Sequence, residues 1–195
     1  MKITLPDNSS RELPEGSSGY DLAKDIGPGL AKSAIAVTID GVQRDLHDAI
    51  DADASVSIIT IDSDEGVEIM RHTLTAQVLA RAIKNLYPES KLAIGPTVKD
   101  GFYYDVESDE SISSDDLSKI EEEMKKIIKT KSAITKKLVS KKDALKIFKS
   151  NKEPYKEIII NESDQDDNFQ LYYQDDEEFV DLCRGPHLPN LGFIG

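Results

Sequence analysis

The sequence predicts an α+β chain in two domains, a strand-rich one followed by one that mixes helices and strands. Three observations lead there. Short alternating apolar stretches, punctuated by Gly, Asn, Asp and Pro, recur through the first sixty residues. A single apolar stripe at helical spacing runs from Asp64 to Leu86. An acid- and serine-rich break at residues 62–65 separates the two patterns.

Residues 2–6 alternate, Asp7-Asn8-Ser9-Ser10 supplies turn chemistry, and residues 11–16 return as a second strand. Ser18 is placed to cap a short helix over 19–27, in which Tyr20, Leu22, Ala23 and Ile26 share a face and Gly27-Pro28 marks the end. Residues 34–40, 42–46 and 55–61 read as strands, the first two joined through Gly41. Short strands wrapped on one helix make residues 1–62 a β-grasp, ubiquitin-like domain. Its only histidine, His47, reads as an exposed polar residue, and no set of side chains in it suits catalysis.

Residues 63–195 are expected to form the second, α+β domain. Its first helix carries Val67, Met70, Leu74, Val78, Leu79, Ala82, Ile83 and Leu86 on one face and stops at Pro88. Residues 91–107 hold two strand-like stretches interrupted by Gly95-Pro96 and by Asp100-Gly101, a hairpin signal. A helix over 113–131, with Ser114 and Asp115 available as caps, precedes a strand at 134–140 and a helix at 141–150. Strands are expected near 156–160, 169–174 and 178–182.

Composition narrows the function classes. No apolar run approaches the ~18–20 residues of a membrane span, and the amino terminus lacks the apolar core of a secretory signal. One cysteine excludes an internal disulfide and a four-cysteine zinc site, so a cytoplasmic setting is expected. A net charge of −13 argues against generic nucleic-acid binding. The charge is uneven: residues 119–152 hold twelve lysines against four acids, a net +8, which leaves −21 elsewhere. That window is either a solvated helix face or a place where phosphates pass.

Candidate site residues are few. The stretch FVDLCRGPHLP, residues 179–189, sets the only cysteine four residues before a histidine, with Asp181 just upstream. On the residues alone, Cys183 and His187 could converge as a metal pair or as a thiol and an imidazole, or could be a buried hydrophobe and a loop residue. Taken with MRHTLTAQVLARAIKNLYP at 70–88, IGPTVKDGFYYDV at 94–106 and EPYKEIII at 153–160, the stretch resembles the amino-terminal part of bacterial threonyl-tRNA synthetases. In that family a TGS domain is followed by a domain that edits misacylated tRNA.

The resemblance implies hydrolysis of the ester joining serine to the 3′ end of threonine tRNA. One methylene is worth only ~1–3 kcal/mol of discrimination, so a second, hydrolytic sieve is expected. It implies that Lys156, Asp181, Cys183 and His187 share a pocket with His72, and that Tyr104, Thr73 and Gln77 contact the substrate. His72 would orient the water, Lys156 would stabilise negative charge, Asp181 would hold the substrate's ammonium or hydroxyl, and Cys183 and His187 would shape the serine pocket. The partners implied are the acceptor end of threonine tRNA and the catalytic and anticodon-binding domains of the full-length enzyme. The catalytic core lies outside these 195 residues, so ATP is not expected to bind and no cofactor is required.

The chain departs from the family pattern R-H-x-x-A-H. One extra residue follows His72, and Gln77 stands where the second histidine would be. On a regular α-helix, residues five apart point ~140° away from each other. A late helix start or a π-bulge would absorb the extra residue. An amide in place of an imidazole makes zinc bound by His72, Cys183 and His187 an unexpected outcome. A reading from another class is a tRNA-docking module that keeps the fold without hydrolysis. A stand-alone TGS-type binder fits the carboxy-terminal motifs poorly.

Overall fold

The structure, a computed structural model, describes residues 1–175 and 177–195. Their contacts divide into two compact units, Met1–Met70 with Gly185–Pro189, and Arg71–Arg184 with Asn190–Gly195.

In the first unit, turn chemistry sets the sheet. Strands β1 (Lys2–Thr4) and β2 (Ser10–Glu12) are antiparallel, and Asn8 takes a positive φ in the turn between them. Strands β3 (Ala34–Ile39) and β4 (Val42–Asp45) are joined by Asp40 and Gly41, both at positive φ, as a two-residue hairpin matched to strand twist requires. Strand β5 (Ala54–Thr60) lies parallel to β1 and antiparallel to β3, giving the order β2-β1-β5-β3-β4. Helix α1 (Gly19–Ile26) starts at Ser18, whose side chain accepts from the Asp21 N–H while Asp21 accepts from the Ser18 N–H. Its first residue must be small, because a Cβ on Gly19 would lie 2.8 Å from Val37 Cβ. Leu22 packs with Ile3, Val37, Ile50 and Val56 in the core, each such burial contributing about 1.5–3 kcal/mol. The fold is the β-grasp expected.

Gly27-Pro28 proves a joint where the sequence suggested a stop. Pro28 opens a second short helix, α2 (Pro28–Ser33), as proline at a first helical position can. Helix α3 (Asp64–Thr73) begins hard against β5: Ser63 Oγ donates to the Thr60 carbonyl at 2.8 Å and accepts from the Gly66 N–H at 3.0 Å. A Cβ on Gly66 would sit 2.1 Å from the Thr60 carbonyl oxygen. The start of α3 therefore belongs with the first unit, and the contact boundary falls at Met70, later than the compositional break.

In the second unit the long helix continues from α3 through a π segment (Leu74–Leu79) into α4 (Ala80–Leu86). Val78, Ala82 and Ile83 pack with Ile120 and Ile127 of α5 (Leu117–Lys129) and with Leu191. Ser113 and Asp116 form the capping box ahead of α5, in place of the caps expected at Ser114 and Asp115. Residues 91–107 fold back on themselves twice. Strand β6 (Lys91–Leu92) pairs with β9 (Val106–Glu107), and between them β7 (Thr97–Val98) pairs with β8 (Gly101–Phe102).

Strands β10 (Ile134–Val139), β11 (Phe169–Gln174) and β12 (Val180–Leu182) form an antiparallel sheet in that order. Helix α6 (Lys141–Ser150) lies where expected, capped by Ser140. Residues 156–160 are not the strand expected: they belong to helix α7 (Pro154–Glu162). Pro154 begins the helix, and burial of Ile160 with Phe148 and Leu171 overrides the strand preference of three consecutive isoleucines. On a helix, Lys156 and Ile160 share the inward face while Ile158 stays half exposed.

Candidate active site

One cleft of about 580 Å³ opens in the second unit, between the long helix, the 94–104 loop, α7 and β12. Its deepest polar feature is built by α7 and β12. Lys156 Nζ lies 2.7 Å from Asp181 Oδ1, and their side chains are only 4% and 3% exposed. The same ammonium donates to the Tyr104 hydroxyl oxygen at 3.1 Å. Burial alone would drive the Lys156 proton off; the Asp181 carboxylate and then Tyr104 outweigh it and hold that proton well above the usual lysine range. Burial, reinforced by the Asp181 charge, likewise keeps the Tyr104 phenol protonated far above its ordinary value. Since Tyr104 accepts from Lys156, its own O–H remains to donate elsewhere.

The second feature joins positions 111 residues apart. Cys183 Sγ sits 3.1 Å from His72 Nε2, and both line the cleft. His187 belongs to the first compact unit, where its backbone N–H donates to Asp45 Oδ1 at 2.9 Å.

The π segment accounts for the extra residue after His72. Its ladder runs five residues back, the Ala80 N–H donating to the Thr75 carbonyl. The segment does not bring Gln77 into the cleft beside His72, where Ala76 lines the wall instead. The Gln77 carbonyl, inside this segment, accepts from Gln174 Nε2 at 2.8 Å, and Gln174 Oε1 accepts from Arg81 at 2.7 Å. Thr73 and Gln77 are both fully buried and are not among the residues lining the cleft. Neither atom of the Gln77 side-chain amide has a hydrogen-bond partner among the described residues.

Sequence reasoning overlooked two residues here. Arg184 is an exposed cation at the cleft mouth. Gly95 packs against Tyr104, and nothing in its Gly-Pro context distinguishes it from a turn glycine. As chemistry, the cleft offers a buried cation, a phenol donor, a carboxylate and an imidazole beside a thiol, the groups that hydrolysis of an ester needs.

Residues 1–60 match the TGS domain family. Residues 170–195 match the threonyl and alanyl tRNA synthetase second additional domain. Together the two matches support the amino-terminal part of a threonyl-tRNA synthetase-like protein. Asp181, Cys183 and Arg184 lie inside the second matched stretch, whereas His72, Tyr104 and Lys156 come to the cleft from outside it. The second additional domain of these synthetases is an editing domain, which gives the chain a role related to tRNA editing. No helix among the described residues is long and apolar enough to cross a membrane.

Proposed function

We propose that the cleft hydrolyses seryl-tRNA(Thr), the product of mischarging by a synthetase that admits serine. The observation that carries this reading is the Lys156–Tyr104 pair of donors facing the same cleft as His72. A water oriented by His72 attacks the ester carbonyl carbon and gives its proton to the imidazole. Negative charge develops on the carbonyl oxygen, where the Lys156 ammonium and the Tyr104 O–H are placed to meet it. The bond to the ribose 3′ oxygen then breaks, and the proton passes from His72 to that oxygen, leaving serine and a free 3′ end. Cys183 holds the His72 ring, Asp181 keeps Lys156 charged and positioned, and Arg184 meets a phosphate of the terminal nucleotides. No step requires a metal or ATP. The partners are the acceptor end of threonine tRNA and the remaining domains of a full-length synthetase, in the cytoplasm.

The position of Gln77, buried away from the cleft lining, favours a second reading in which the domain docks tRNA without hydrolysing it. Decay of seryl-tRNA(Thr) with and without the chain separates the two. Hydrolysis predicts decay well above buffer, with threonyl-tRNA(Thr) spared; docking alone predicts binding with decay at the buffer rate.

A further inference from the structure

We propose that Gly95 is a positioning residue that sets the Tyr104 hydroxyl on Lys156. The proposal rests on the hydrolytic reading above and names a residue to which that reading assigns no part.

Gly95 does not take a positive φ, so its backbone is one that any residue could adopt. What requires glycine is contact. A Cβ built there would lie 2.3 Å from Tyr104 Cδ2, 2.7 Å from Tyr104 Cε2 and 2.5 Å from Thr75 Cγ2, distances that real Cβ atoms do not show. Thr75 cannot give way easily: it is fully buried, and its hydroxyl donates to the Arg71 carbonyl at 2.9 Å. The chain around Gly95 is also tied. The Ala93 N–H donates to the Asp105 carbonyl at 3.0 Å, and the Asp105 N–H donates to the Ile94 carbonyl at 2.9 Å. With Thr75 held, the added methyl is accommodated on the Tyr104 side, where the ring's hydroxyl meets Lys156 Nζ at 3.1 Å. A methyl group at position 95 therefore pushes the ring, and its hydroxyl leaves the ammonium.

A double-mutant cycle on seryl-tRNA(Thr) hydrolysis tests this, using Gly95→Ala, Tyr104→Phe and both together. Loss of one donor to a developing oxyanion costs about 10²–10³-fold in rate. Each single variant is expected to lose that much. In the Tyr104→Phe background, Gly95→Ala is expected to lose no more than about threefold further, because the hydroxyl it displaces is already gone. The phenylalanine ring still occupies the same space, so a purely steric or unfolding effect would persist in that background and overturn the proposal. So would a Gly95→Ala chain that hydrolyses at the wild-type rate.

Two measurements stand apart from activity. Nuclear Overhauser contacts of the Tyr104 ring with Thr75 are expected in the wild type and lost in Gly95→Ala; their survival would contradict the proposal even if no chain hydrolyses seryl-tRNA, an outcome that sinks the hydrolytic reading separately. If Gly95→Ala does not fold, adding Tyr104→Val and Thr75→Ser vacates both contacts and is expected to restore folding. Failure to do so would mean that Gly95 serves the backbone and not Tyr104.

Discussion

Replacing Lys156 by Met tests whether the buried ion pair organises the cleft. At 2.7 Å, attraction between unit charges is about 6 kcal/mol at the effective dielectric near 20 that suits protein sites. Taking each ion out of water costs several kcal/mol, so the intact pair adds little net stability. Breaking it is another matter. Lys156→Met leaves the Asp181 carboxylate buried without its cation and is expected to destabilise the chain by about 3–5 kcal/mol. At a urea slope near ~2 kcal/mol/M this lowers the unfolding midpoint by about 2 M. The chain has no Trp, so far-UV circular dichroism serves as the probe. Lys156→Met with Asp181→Leu removes both charges, and most of the loss should return. The Tyr104 phenol should move further up in Lys156→Met, because the ammonium beside it works to lower that value. A cost below ~1 kcal/mol for Lys156→Met, or a double variant no better than the single, would refute the reasoning.

Gln77→Met removes two buried amide atoms that have no partner among the described residues while keeping similar bulk. A gain of about 1–3 kcal/mol in stability is expected, read by the same urea titration; a loss would show that the amide is bonded. Alkaline pH should destabilise the fold. Lys156 and Tyr104 both hold their protons more tightly folded than unfolded, so the unfolded chain binds fewer protons once pH passes the ordinary Tyr and Lys values, and stability falls from about pH 10 upward. A midpoint unchanged between pH 9 and about 11 would contradict those shifts. On α6, Lys142, Lys146 and Lys149 are exposed on one face. Changing all three to Glu should weaken tRNA binding and flatten its salt dependence, measured by filter binding across a salt series; unchanged binding would make that face merely solvated.

The first unit was legible because its determinants are local. Ser18 and the Asp40-Gly41 turn act within a few residues of themselves, and they place α1 and the β3–β4 hairpin as expected. The long helix was legible from its apolar stripe, and the misfit of one residue between His72 and Gln77 anticipated a bulge where the π segment lies. Helix α7 was not legible, since Ile158, Ile159 and Ile160 favour a strand until Ile160 finds Phe148 and Leu171. That error matters for the site, because only the helix turns Lys156 inward toward Asp181. The contact of Cys183 with His72 was implied by the resemblance and not by the residues alone. That contact depends on closing a loop of more than a hundred residues, which the spacing of neighbouring residues does not show. Within the lysine-rich window, the structure separates Lys137, paired with Glu177, and Lys141, bonded to the Asn161 and Ser163 carbonyls, from the open face of α6.

In the proposed reaction, His72 and the Lys156–Tyr104 pair act together on one ester. The most direct test follows single-turnover decay of seryl-tRNA(Thr) and threonyl-tRNA(Thr) with the wild-type chain, His72→Ala and Tyr104→Phe. The wild type is expected to accelerate seryl-tRNA decay and to spare threonyl-tRNA. His72→Ala should lose about 10²–10⁴-fold and Tyr104→Phe about 10²–10³-fold, with tRNA affinity unchanged. Wild-type decay no faster than buffer, or full activity in both variants, would contradict it.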